Sequence, residues 1–522
     1  MKSHTRSIMK LVLVLVVCVA HWEVSSANKI LFVYPTPSKS HLIVVQGLST
    51  YLAQKGHNVT VVSPFPLSKP MKNYRDIVVP MGNDDWVSEM VKNPKNSILK
   101  SMPQTIKLFL KMSDDMYELP EFQKVMKEEN FDLVVIGLFM SNFWLGLGDH
   151  FKCPTMMLSV NSAWTSTNLL FGNPTAVSSV SSILAYQTAP MNFFQRVKNF
   201  LIIVGECVFA EVFQYIERGV YNKYFPSDRY ISYDEALTNL SMVLLNTHFS
   251  QGSTRPYVPA MVEVGGLQIK PSPDPLPTDI QKWLDGAEHG AIFFSFGTNA
   301  KSTFLPKEKI EMLLKVFATL KQRVLMKWES ETLEGKPDNV MIGKWLPQDD
   351  ILAHKNVKLF VSHCGLGSVV ESKYHGVPIV GIPIFGDQDG NANVVVSEDW
   401  GVKVDFASIT EELLLNAIKE VLENPKYTAT VQRISKLYKD RPMNARETAA
   451  YWVEYVIRHR GAPHLQYPAV QLNLWQKTSI DVIAVLLIVV YVVFKLFALL
   501  MRLVFSKLFG KPKKIKKDKK MK

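Results

Sequence analysis

The chain has 522 residues, more than one hydrophobic core ordinarily supports, so its length points to two domains. With 47% hydrophobic and 20% charged residues it is not a disordered chain, and it fits a globular one with membrane elements. The net charge of +12 sits at the ends. Residues 502–522 carry ten Lys or Arg against Asp518, and residues 1–27 carry Lys2, Arg6 and Lys10 against Glu23. The body between them is close to neutral and gives no case for a nucleic-acid partner.

Residues 1–27 read as a secretory signal peptide. A basic start leads into the apolar run Leu11–Ala20, too short to span a bilayer stably, and then into Ser25-Ser26-Ala27, small residues that suit a peptidase. With Cys18 removed in that segment, Cys153, Cys207 and Cys364 remain, an odd number without metal-ligand or framework spacing, which argues against a disulfide scaffold and a structural zinc.

The mature chain opens with a β-α-β unit: a strand over Lys29–Pro35, a helix over His41–Gln54 and a strand over Val59–Val62. Leu133–Ile136 and Thr155–Val160 read as further buried strands. Residues 171–230 are helical and aromatic, and are expected to shape a pocket or lie against the membrane. Asn58-Val59-Thr60 and Asn239-Leu240-Ser241 are glycosylation acceptors consistent with a lumenal body. Residues 28–265 form the first expected α/β domain. A linker over 266–278 follows, where Pro271, Pro273, Pro275 and Pro277 forbid a helix or central strand. A second α/β domain is expected over 279–462. Its strands fall at Ala291–Phe296, Arg323–Trp328, Leu359–Val361 and Ile379–Ile382, and a helix at Pro306–Lys321. A further helix begins near Ser408, where Ser408 and Glu411 form a capping box. Strands interleaved with helices imply parallel sheets covered on both faces, with ligands bound in the cleft between two such halves.

Toward the C-terminus, Val482–Phe494 is uninterruptedly apolar. The window 479–500, with Lys495 snorkelling, meets the roughly 20 residues a spanning helix needs. The lysine-rich tail over 501–522 then belongs in the cytosol. Lys519 and Lys520 stand where a dilysine signal retrieves membrane proteins to the endoplasmic reticulum.

The chemistry concentrates in residues 345–393, WLPQDDILAHKNVKLFVSHCGLGSVVESKYHGVPIVGIPIFGDQDGNAN. A strand ending at Ser362 empties into His363-Cys364-Gly365-Leu366-Gly367-Ser368, and a helix starts near Gly367. Glycines let backbone N–H groups approach an anion, and a helix N-terminus favours negative charge, which predicts a diphosphate site. Alone, such a turn is weak evidence, because tight turns require glycine on steric grounds.

Together with Ser295-Phe296-Gly297-Thr298, the Gly-Gly-Leu that opens the linker, Ser479-Ile480-Asp481-Val482 and the lysine tail, this block resembles the UDP-glycosyltransferase (UDP-glucuronosyltransferase) family. The resemblance is to its animal, membrane-anchored branch, insect-like in kind, and covers essentially the whole chain. It implies two Rossmann-like domains facing across a cleft, of the GT-B type, plus a C-terminal transmembrane helix. The first domain would bind the acceptor and the second the UDP-sugar.

By this resemblance Trp345 stacks on uracil with Gln348 beside it. Ser295, Gly297 and Thr298 close over the phosphates; His363, Gly365 and Ser368 grip the diphosphate; Glu371 accepts the ribose hydroxyls; Asp387 and Gln388 read the transferred sugar. His41 is the catalytic base, a role its ordinary pKa suits. The implied reaction is inverting transfer of glucose or glucuronate from UDP-glucose or UDP-glucuronate to a hydroxyl of a small lipophilic acceptor. UDP-sugar is a co-substrate, and no cofactor or metal is implied. The expected setting is a single-pass endoplasmic reticulum membrane protein in detoxification, with room for homo- or hetero-oligomers with related transferases.

Two departures stand out. Gly367 replaces the family's usual Asn and forfeits a side-chain donor. The Asp that normally partners the base is missing: Gly137 and Asn142 occupy the two candidate positions. Either Ser141 or Asn142 orients His41, or activity is weak or absent, as in a non-catalytic member that binds UDP-sugar or lipophile.

Overall fold

The computed structural model of the protein describes residues 27–81, 98–138, 141–185, 187, 190–252, 254–298 and 301–510. The expected signal peptide, apart from Ala27, and Lys519 and Lys520 lie outside these residues. The chain divides into a body ending at Tyr467 and a C-terminal piece starting at Pro468.

The body is built on two parallel sheets. The first contains β1 (Lys29–Val33), β2 (Asn58–Ser63), β3 (Tyr74–Val78), β4 (Leu133–Gly137), β5 (Thr155–Ser159), β6 (Met242–Leu245) and β7 (Met261–Glu263). Their spatial order is β3-β2-β1-β4-β5-β6-β7. The second contains β8 (Ala291–Ser295), β9 (Arg323–Lys327), β10 (Val340–Gly343), β11 (Val357–Ser362), β12 (Ile379–Gly381) and β13 (Gly401–Lys403), in the order β10-β9-β8-β11-β12-β13. Strands such as Leu133–Gly137 and Ala291–Ser295 are buried at every residue, as parallel strands between two helical layers must be. In both sheets the order reverses at the middle, beside β1 and β8, and ligands of open α/β sheets bind outside that switch point.

Four helices of the body position the site and its surroundings: α1 (Lys39–Gln54), α2 (Phe193–Tyr224), α3 (Leu366–His375) and α4 (Ala445–Arg458). Helix α1 buries Leu42, Val45, Leu48 and Leu52 against the first sheet. A Cβ on Gly47 would lie 2.0 Å from the Leu267 carbonyl oxygen, so only glycine lets α1 touch the segment that leaves the first half.

The second half was expected to run to residue 462, but α4 belongs to the first. Ala445, Ala449, Ala450, Val453 and Val456 pack in the core of the N-terminal sheet, and Glu454 pairs with Lys55 and His57. Small residues spaced along one face let α4 lie close to α1. A second correction concerns the helix Glu411–Glu423. Its cap is Thr410, whose hydroxyl accepts from the Leu413 amide at 3.2 Å, while Asp405 captures the amides of Ala407 and Ser408. Ser408 is thus spent in a turn, and the helix starts later than expected.

Helix α2 lies in the aromatic stretch and turns one side outward. Phe194, Leu201, Val208, Val212 and Tyr215 are 59% to 81% exposed. Asn199, Ile203, Ala210, Phe213 and Glu217 face inward.

In the C-terminal piece, α5 (Ile480–Phe509) has 30 residues, mean hydropathy 3.0 in its most apolar window and no buried position. At 1.5 Å per residue it is about 45 Å long, enough to cross a hydrocarbon core of about 30 Å.

Candidate active site

Helix α1 follows β1 after a short turn, which carries Lys39, Ser40 and His41 to the C-terminal edge of the first sheet. Burial alone pushes the His41 pKa down to about 4, so the imidazole is neutral at pH 7 and able to accept a proton. Neither candidate position for a carboxylate is free to receive one. A Cβ on Gly137 would sit 1.8 Å from the Tyr34 ring, which occupies that space. Asn142 faces elsewhere: its backbone N–H and Nδ2 both donate to Glu217, at 2.9 and 2.8 Å, and the Tyr233 hydroxyl donates to the same carboxylate at 3.0 Å. Burial raises the Glu217 pKa to about 7 against the opposing pull of these hydrogen bonds. The Ser141 hydroxyl donates to the Gly137 carbonyl.

Across the cleft, β8 and β11 are neighbours, so the loops at their ends meet. The His363 ring lies between two glycines: a Cβ on Gly297 would come within 2.6 Å of it and one on Gly365 within 2.5 Å. Gly297 also takes a φ of 81°, open to glycine alone at low cost. Burial, with a smaller contribution from nearby Lys327, lowers the His363 pKa to about 4, so a ring N–H rather than a charge would meet a phosphate there. Cys364 takes a φ of 60° and its N–H is held by the Ser362 hydroxyl. The Thr298 hydroxyl is buried without a partner among the described residues, as a group awaiting a ligand acceptor would be.

Behind this loop, Gln348 donates to Ser368 at 3.0 Å and to Glu371 at 2.7 Å. Burial, then the neighbouring Asp349, raises the Glu371 pKa to about 8. Asp387 accepts from Asn391 at 2.8 Å, and Asn391 also donates to the Cys364 carbonyl, linking this carboxylate to the glycine-rich turn. Gln388 uses its carbonyl to hold the amides of Ile384 and Phe385. Trp345 is 53% exposed and carries the Lys39 ammonium 3.9 Å from its ring centroid.

The structure therefore gathers Ser295, Gly297, Thr298, His363, Gly365, Ser368, Gln348 and Glu371 at adjoining strand ends, loops and helix starts, with Asp387 attached through Asn391. Sequence reasoning overlooked Asn391, Tyr34 and Lys39. Lys39 stands two residues from His41, which was the available signal. Among the described residues no three His, Cys, Asp or Glu side chains converge as metal ligands do.

Two parallel α/β halves facing across a cleft, with a glycine-rich turn at a helix start in the second, make up the GT-B fold of glycosyltransferases. The chain belongs to the family described as UDP-glucoronosyl and UDP-glucosyl transferase, whose model matches residues 10–515. UDP-glycosyltransferase UGT5 of Dactylopius coccus is 34% identical over 515 residues, covering 96% of this chain and 97% of that one. UDP-glucosyltransferase 2 of the same organism is 35% identical, covering 89% and 90%. UDP-glucuronosyltransferase 1A1 of Mus musculus is 29% identical, covering 97% of each. A UDP-glucosyltransferase from Polygonum tinctorium capable of glucosylating indoxyl, solved in complex with 3,4-dichloroaniline, superposes with TM-score 0.54. It has 17% identity and covers 83% of this chain and 99% of that one, a likeness of fold alone.

Proposed function

We propose that this glycosyltransferase moves glucose or glucuronate from its UDP-sugar to a hydroxyl of a small lipophilic acceptor, with inversion. The observation that carries this reading is the contact of Lys39 with Trp345: two residues from His41, it touches the aromatic ring on which uracil is expected to stack. Base and nucleotide platform thus border one cleft. His41 takes the acceptor proton, the acceptor oxygen attacks the anomeric carbon from the face opposite the leaving group, and UDP departs. The developing phosphate charge meets the N–H groups at the start of α3 and the His363 ring. Glu371 takes the ribose hydroxyls, and Asp387 and Gln388 the sugar.

A donor-by-acceptor screen on microsomes tests this. UDP release from UDP-glucose or UDP-glucuronate is expected with phenols ahead of alcohols, because a base whose pKa lies near 4 favours acidic acceptors. Product of retained anomeric configuration, or undiminished turnover in His41→Ala, would overturn the mechanism.

The reading extends to location: α5 spans the endoplasmic reticulum membrane, with the body lumenal and the tail cytosolic. The acceptors Asn58 and Asn239 are exposed, whereas Thr60 and Ser241, the third residues of the two triplets, are 7% and 4% exposed. Glycosylation at both would thus precede folding. A shift in gel mobility on deglycosylation, lost in Asn58→Gln with Asn239→Gln, checks this.

A further inference from the structure

Gly367 is the second residue of α3, and Gly365 at the N-cap gives that helix end no side-chain hydrogen bond. The helix end therefore presents N–H donors with no protein oxygen from the cap to satisfy them. A Cβ on Gly367 would have one neighbour within 4.0 Å, the Nε2 of Gln268. Gln268 lies where the chain leaves the first half and is 7% exposed, and its Nε2 has no hydrogen-bond partner among the described residues.

The orientation of that amide follows from its neighbour. The Asn246 Oδ1 accepts from the backbone N–H groups of Gly266 and Leu267 at 3.0 and 3.3 Å, so its Nδ2 faces Gln268. That Nδ2 lies 3.5 Å from the Gln268 Oε1, which leaves Nε2 on the side of α3. Arg446 holds the backbone in place by donating to the carbonyls of Leu267 and Gln268. A buried amide donor without an acceptor is costly, and here it stands beside a helix end that also offers only donors. The group that satisfies both is an anion with several acceptor oxygens.

We propose that Gln268 is a donor-binding residue, whose Nε2 hydrogen-bonds a diphosphate oxygen of the UDP-sugar in the space left open by Gly367. The assignment rests on the donor site described above. It places part of the phosphate grip on the segment joining the two halves, and Gly47 brings α1, the helix of His41, against the adjacent Leu267.

The test is calorimetric titration of UDP and of uridine into the full chain in detergent. Gln268→Leu is expected to weaken UDP about tenfold, the scale of one hydrogen bond to a charged group, and to leave uridine unchanged. Gln268→Glu, which keeps size and the acceptor but loses the donor and adds a negative charge, should weaken UDP further. Adding Gly367→Asn to Gln268→Leu should recover most of the UDP affinity, since it supplies an amide from the other side of the same space. Unchanged UDP affinity in Gln268→Leu, or equal losses for UDP and uridine, would overturn the assignment while leaving the donor site standing. A wild-type chain that binds no UDP would overturn the donor site and this assignment with it.

Discussion

No acid stands at position 137, where the resemblance to the family would put the partner of His41, because the room is taken. Tyr34 lies against Gly137, and any side chain there displaces the ring. Gly137→Asp should therefore lower stability, by about 1–3 kcal/mol for overpacking, without speeding transfer; thermal unfolding and initial rates with alcohols check both. Asn142→Asp would set a second carboxylate against Glu217 rather than against His41. Glu217 itself makes stability depend on pH. Its carboxyl titrates near 7 in the fold against an ordinary value of 4.5. Its contribution is present in full below 4.5 and is lost as pH rises to 7, a change on the order of 3 kcal/mol. Glu217→Gln keeps an acceptor for Asn142 and should be more stable than wild type at pH 7.5, by a margin that shrinks toward pH 4.5. Melting curves across that range that run parallel for the two proteins would refute this.

At the scale of elements, periodicity and β-rich runs located β1, β2, β4, β5, β8, β9, β11 and β12 to within a residue or two at most ends. The strands they missed are edge or near-edge elements. Residues 401–403 make β13, three residues with no apolar run of their own, and β3 carries Arg75 and Asp76 in its middle. These become strands because a neighbour pairs with them, information that local sequence does not hold. The glycine-rich turn after β11 was legible because its glycines and histidine lie close together in sequence. Gln268 and Tyr34 were not, since only long-range packing carries them to the site, and for Lys39 the one local signal was its place two residues from His41. Helix α2 showed its aromatic character in sequence, but not which side it buries. Its outward face is largely apolar, interrupted by exposed Glu211, and Arg196 and Lys198 are exposed near its N-terminal end, which suits a lipid surface. Charging that face with Phe194→Glu, Leu201→Glu and Val208→Glu in a chain ending at Tyr467 should release it from vesicles that the unaltered truncated body binds. Equal flotation of the two would argue against a membrane role for α2.

For the whole molecule, the chain crosses between halves twice, outward near Gly265 and back before Ala445, and the crossings touch. The Arg441 side chain donates to the Gly265 carbonyl at 2.7 Å, and Arg446 donates to that of Leu267. Any closure of the cleft would then bend two adjacent segments about one line, and Gly47 is the close contact beside it. Gly47→Ala would drive a methyl into the Leu267 carbonyl and should depress the melting temperature. The returning helix has a further consequence for how the protein can be divided. The first half is completed by residues supplied from the far end of the body, so a cut among the linker prolines severs the chain but not the fold. The two fragments should stay together through purification and retain activity. A fragment ending at residue 265, made alone, would expose the face of α1 that α4 covers and should aggregate until a fragment containing residues 445–462 is supplied.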